Sequence, residues 1–276
     1  MAPLLALGGA ACWGIGDFLG GLSSRRAHVL TVLVVSQAIG LAGIALWVGL
    51  LGDPFPGVLE ILPAVGAGVA GIVGLAALYR GLSIGAMGIV APVSAAAPVV
   101  PLTADLARGI TPSAVQWAGV ALVLAGVATV SREPSTGDRR FAAGVGLAAI
   151  AALGFGLFFV AIDVAADESA SWAVLVARAA AVAVVLVAAV AASAPLAAPR
   201  TLLPALIGVA VFDTGANVLI ATATTTGAAG IVAVLSSLYP VVTILLARLV
   251  LGERLSTSRR VGGGVALGGA ALVASG

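Results

Sequence analysis

Apolar residues in this chain come in long runs separated by short polar breaks. Ten such runs can be marked, at roughly 3–22, 29–51, 58–79, 85–106, 114–131, 141–163, 171–193, 201–222, 229–250 and 260–275. A helix that crosses a bilayer needs about 20 mostly apolar residues, because that length spans the hydrocarbon core. The pattern therefore predicts an all-α integral membrane protein with ten transmembrane helices. The third and fourth runs, and the eighth and ninth, are joined by very short turns, LSIGAMG and TTTGAAG. The longest polar linker, SREPSTGDRR at 131–140, lies near the midpoint. No segment is long enough for a soluble domain. The first run lacks a basic leading segment and carries Asp17, so it reads as a retained span and not a cleaved signal.

The runs also repeat. GIVAPVSAAAPVV at 88–100 and GIVAVLSSLYPVV at 230–242 agree at eight of thirteen positions, 142 residues apart. WGIGDF at 13–18 resembles LGFGLF at 153–158, and GVALVLAG at 119–126 resembles GVALGGAA at 264–271. Two five-helix copies follow, 1–135 and 136–276. Five is odd, so if every run crosses, the second copy is inverted relative to the first, a plan known in transporters.

Loop charge agrees with inversion. The loop after the first run carries Arg25 and Arg26, and its counterpart carries Asp167 and Glu168. The loop after the second carries Asp53, with Glu60 nearby, against Arg200 in its counterpart. The loop after the fourth carries Arg108, against Arg254, Arg259 and Arg260. One side of the bilayer collects Arg25, Arg26, Arg80, Arg132, Arg139, Arg140, Arg200, Arg254, Arg259 and Arg260; the other holds Arg108 alone. Positive residues concentrate on the cytoplasmic side, so both termini are expected outside the cytoplasm, in the inner (plasma) membrane.

Composition narrows the function. The chain is 61% hydrophobic and 9% charged, with mean hydropathy +1.22, against about 25% charged residues in soluble domains. A net charge of +2, without a basic stripe, does not point to nucleic acid. One cysteine, Cys12, forms no internal disulfide, and one histidine, His28, builds no metal site alone. GAGVAG at 66–71 fits a dinucleotide fingerprint but lies inside a membrane run, so no cofactor is expected. Gly16-x-x-x-Gly20 and Gly264-x-x-x-Gly268 are instead expected to let helices approach closely. The expected partners are lipid and a small-molecule substrate, with the chain a monomer or a homodimer.

Candidate chemistry lies where polar groups interrupt the runs. Proline removes a backbone donor and kinks a helix, and in lipid such a break survives only where protein or a watery cavity covers it. Pro92, Pro98 and Pro101 in the fourth run and Pro240 in the ninth are thus expected to face an interior. Ser94 and its counterpart Ser236, with Ser237, are placed to satisfy loosened backbone groups or a solute. Ionisable groups at bilayer depth are costly, and each is a functional candidate. Three stand out: Asp17, with Trp13 one turn earlier; Asp213, with Asn217 one turn later; and Arg178, whose counterpart in the first copy is Gln37. Asp17 and Asp213 are candidates to carry a proton or meet a cation, and Arg178 to hold a carboxylate. A purely structural Arg–Asp pairing is the alternative. Tyr79 and Tyr239 fall near the same helices. Asp105, Asp163, Glu60, Arg80 and Arg248 lie near run ends, where snorkelling suffices.

The ten runs in two halves, the G-x-V-A…P-V-V segments of the fourth and ninth, and LGERLS at 251–256 before a Gly-rich last run resemble the EamA-type carriers of the drug/metabolite transporter superfamily. The first copy departs from the pattern, with ARGITPS at 107–113 in place of a Gly-Glu pair. The resemblance implies that the fourth and ninth helices line a central cavity. It also implies cytoplasmic termini more often than not, opposite to the arginine tally. The function expected is secondary transport of a small metabolite or drug-like solute by alternating access, proton-coupled or by exchange. A membrane enzyme would need a convergent acid, base or nucleophile, and a sensor or assembly protein a soluble appendage; neither is apparent.

Overall fold

The computed structural model describes residues 1–83, 94, 96–131, 138–251 and 257–275. Most of the apolar runs fold as single helices close to their expected limits. These are α1 (Ala2–Ser24), α2 (Val29–Leu51), α3 (Val58–Ser83), α5 (Ala114–Ser131), α6 (Asp138–Ala166), α7 (Ala170–Ala191), α8 (Leu203–Thr224) and α11 (Thr257–Ser275). Six described helices are long and apolar enough to cross a membrane. Helix ends are set by local chemistry. Ser169 caps α7 by accepting from the Trp172 amide at 3.3 Å. At the start of α5, Ser113 and Gln116 exchange bonds of 2.9 and 3.1 Å, the capping-box arrangement. Gly52 closes α2 in the left-handed region, at φ 66°.

The fourth and ninth runs behave differently. A proline kink in a continuous helix was the expectation; the ninth run is instead broken into two helices, α9 (Ala229–Ser236) and α10 (Tyr239–Leu251). In the fourth, residues 96–98 form a turn that leads into α4 (Val99–Ala107), with Pro98 as its N-cap. Pro240 occupies the first turn of α10, where a missing N–H costs nothing. The backbone groups released at the breaks find local partners. Ala97 N–H donates to Ser94 O at 3.0 Å and Val241 N–H to Leu238 O at 2.9 Å. Thr243 Oγ1 lies 3.1 Å from the carbonyls of both Gly14 and Tyr239, bridging α1 to the start of α10. Pro92 lies outside the described residues.

The helices pack in related pairs: α1 against α8 and α3 against α6, α2 against α8 and α3 against α7, with α2 on α7, α4 on α9 and α5 on α11. Large apolar side chains such as Leu4, Leu59, Val187 and Leu249 point outward. Burial of apolar area against lipid gives no net drive between helices, so close backbone approach matters more. A Cβ on Gly126 would lie 2.4 Å from the Ala266 nitrogen, and one on Gly68 2.0 Å from the Ala177 carbonyl oxygen. GAGVAG is thus a helix-packing surface. The Gly264-x-x-x-Gly268 expectation is corrected: both glycines face open space, and Gly119, Gly126 and Gly269 make the α5–α11 contact.

Gly126→Ala should therefore destabilise the protein by about 1–3 kcal/mol, since only backbone atoms could yield. Gly264→Ala should leave the melting temperature in detergent unchanged or slightly higher, because it meets nothing and alanine favours the helix.

Candidate functional site

Midway along the bundle lies a cavity of about 120 Å³. Among the described residues, the break between α9 and α10 and the charged positions Asp17, Arg178 and Asp213 contribute to it. Residue 178 is two turns into α7, 213 is near the middle of α8, and 37 is in the first half of α2. Packing of α2 on α7 and α8 brings the three together. The Arg178 guanidinium donates through Nη1 to both Gln37 Oε1 and Asp213 Oδ2. Gln37 Nε2 closes the ring by donating to Asp213 Oδ2 at 3.2 Å. The Arg178 side chain is 4% exposed and that of Asp213 21%, so the carboxylate is the more open partner. Gly40 makes room for this cluster: a Cβ there would lie 2.5 Å from Thr214 Oγ1 and 3.7 Å from Arg178 Nε.

Satisfaction is incomplete. Arg178 Nη2 and Ser236 Oγ are buried without a hydrogen-bond partner among the described residues, and both residues line the cavity. An unmet buried donor typically costs about 1–3 kcal/mol, more for a charged group. Such atoms in a cavity wall are where a solute finds hydrogen bonds waiting.

Part of the wall is aromatic. Trp13 sits with ring centroids 6.1 Å from Phe158, 5.9 Å from Phe159 and 6.3 Å from Tyr239, largely edge-to-face. Asp17, one turn beyond Trp13 on α1, lines the same space.

The structure thus gathers Trp13, Asp17, Gln37, Ser94, Pro98, Arg178, Asp213, Asn217, Ser236, Ser237 and Tyr239 around one cavity. Pro240 is not in its wall; it lies in the first turn of α10. The side chain of Tyr79 lies outside the described residues. The structure adds Phe155 and Phe158, which the sequence reading quoted only as part of a repeat, and Phe159, which it did not single out. Their spacing of three and four residues on α6 places them on one helix face. Asp105 and Asp163, read from sequence as snorkelling, are instead buried at 2% and 8% exposure. Asp105 Oδ2 accepts from the Gly230 amide at 2.6 Å, and Asp163 pairs with Arg108 at 2.8 Å. These contacts tie α4 to α9 and to α6 beyond the cavity.

A bundle of long apolar helices around a cavity that holds a charged cluster in its wall defines a multi-pass α-helical membrane protein. The chain belongs to the EamA-like transporter family, whose model matches residues 1–132 and 142–275. Members of that family are generally transporters. A crystal structure 18% identical superposes with a TM-score of 0.80, covering 98% of this chain and 95% of that one, and so shares its fold. The comparison with curated proteins gives no match.

Asp213→Ala leaves a buried guanidinium without its counter-charge. It should lower stability by roughly 3 kcal/mol or more, because breaking a buried pair strands the remaining charge. Replacing both partners, as Arg178→Met with Asp213→Leu, should recover most of that loss in a melting experiment.

Proposed function

We propose that the protein is a secondary carrier that moves a small metabolite or drug-like solute across the inner membrane by alternating access. The single observation that carries this reading is the cavity. It lies at mid-depth, where α9 and α10 break and a charged cluster meets an aromatic wall. Discontinuous helices at the centre of a membrane bundle are a recurrent way to build a substrate site, since their unwound backbone is tolerated only beside a cavity.

In this proposal the chain comprises ten spans in two inverted five-helix repeats, 1–135 and 136–276. The packing supports it. Exchanging the copies turns the α3–α6 contact into α8–α1 and the α3–α7 contact into α8–α2, and both members of each exchange occur. Gln37 and Arg178, equivalent positions 141 residues apart, meet each other directly. Ser94 and Ser236, also equivalent, line one cavity. Alternating access then consists of one half rocking against the other about this site. Uphill movement would draw on a proton or on counter-solute, with Asp17 and Asp213 as the proton carriers. The arginine tally places both termini outside the cytoplasm.

Purified protein in liposomes should catalyse solute uptake or exchange that responds to an imposed pH gradient. Asp17→Asn combined with Asp213→Asn should abolish that response; undiminished gradient-driven uptake by the double variant would remove the proton-carrier part. For orientation, a C-terminal alkaline phosphatase fusion should be active and a fluorescent-protein fusion dark, with the reverse result assigning cytoplasmic termini.

A further inference from the structure

The guanidinium of Arg178 is held in the cavity wall by one carboxylate, Asp213, and one amide, Gln37. Only Nη1 makes those bonds. Nη2 is buried and has no partner among the described residues, and the hydroxyl of Ser236, itself fully buried, is in the same condition. The wall thus carries two buried groups able to donate, Arg178 Nη2 and the Ser236 hydroxyl, without partners, and the aromatic cluster of Trp13, Phe158, Phe159 and Tyr239 lines the same cavity. A solute fitted to both has a planar acceptor group at one end and an apolar body at the other. A guanidinium fork matches a carboxylate in that role better than any neutral acceptor.

Charge decides what must happen when such a solute arrives. Asp213 accepts the Arg178 proton donor now, and it is the more exposed of the two partners. A second carboxylate brought to the same guanidinium would leave two anions on one buried cation, a state that low polarity disfavours. The titratable or charged groups facing Asp213 across the cavity are Asp17 from α1, Arg178 from α7 and Tyr239 from α10; α2 contributes the neutral Gln37. None of these adds a second positive charge. The charge of the site stays as it was if Asp213 takes a proton as the solute carboxylate takes its place on Arg178.

Resting on the carrier reading, we propose that the substrate is a small organic acid with an apolar or aromatic body, and that it binds to Arg178 together with one proton on Asp213. The balance is simple. The Asp213 carboxylate gains H⁺ from solution and becomes a neutral acid; its ion pair with Arg178 breaks; the solute carboxylate forms the new ion pair, and wall and solute together carry the charge that the wall carried alone before. Substrate and proton then share one site, so neither crosses without the other.

The test uses purified full-length protein in detergent, with benzoate as the probe, and with benzylammonium and benzyl alcohol as cationic and neutral controls. Titration calorimetry in buffers of different ionisation enthalpy counts the protons taken up. Wild type should bind benzoate with uptake of about one proton, and its Kd should rise about tenfold per pH unit wherever that uptake is measured. Asp213→Asn, which keeps a hydrogen-bonding side chain there, should bind benzoate with no proton uptake and a flat pH profile. Arg178→Gln should lose benzoate binding while its melting behaviour reports whether it has folded. Benzoate binding by wild type without proton uptake overturns the proposal with no variant needed. Proton uptake that persists in Asp213→Asn also overturns it, since the acceptor is then another group or the neutral acid itself. A preference for benzylammonium or benzyl alcohol, or binding of none of the three by protein that still exchanges solute in liposomes, overturns the acid class and leaves the carrier reading standing. Absence of any solute flux defeats the carrier reading separately.

Discussion

The ion pair between Arg178 and Asp213 is the constraint around which the bundle is arranged. A lone guanidinium at this depth would cost several kcal/mol, so three helices must meet where it lies. Arg178 comes from α7, Asp213 from α8 and Gln37 from α2, and the bonds among them fix how those helices are rotated. The same bonds leave one face of the guanidinium unsatisfied. A pair present for stability alone would be expected to close every donor; this one stops short at a cavity wall.

Broken helices supply the rest of the site. At Ser237–Leu238 the chain leaves one helix and starts another, and the turn at 96–98 precedes α4 in the related run. These breaks bring Ser94, Pro98, Ser236 and Ser237 to the cavity. Thr243 and the short local bonds at Ala97 and Val241 take up released carbonyls, so the breaks do not leave every backbone group seeking a partner. The prolines act as starters of new helices more than as bends in old ones. That suits a site where backbone, side chain and solute exchange hydrogen bonds.

Glycine contacts hold the bundle differently from a soluble core. Backbones approach at Gly68, Gly119, Gly126 and Gly154 so closely that no side chain fits between them. Contacts of this kind depend on shape and not on the removal of apolar area from water. The α5–α11 pair is joined this way and contributes no described residue to the cavity wall. Asp105 and Arg108 add polar ties from α4 to its neighbours on one side of the cavity.

Run length and hydropathy by themselves determined that helices fill the chain and where most of them begin and end, since both depend only on local composition. The echo between 88–100 and 230–242 likewise marked two segments as unusual, though as kinked and not as broken, and isolated ionisable residues in apolar runs marked Asp17, Arg178 and Asp213 as residues to watch. What a linear reading lacked was distance. That Arg178 meets its own equivalent, Gln37, and pairs with Asp213 instead of Asp17 depends on how α2, α7 and α8 are rotated. Phe158 and Phe159 of α6 looked like ordinary apolar residues until α1 set Trp13 against them. Asp105 and Asp163 stood near helix ends and so read as solvated, yet α9 and Arg108 cover them. Gly264 and Gly268 had the spacing of a packing motif but the wrong face. In each case the sequence carries the residue's type and its place along a helix, while its neighbours come from rotations that only the packed bundle sets.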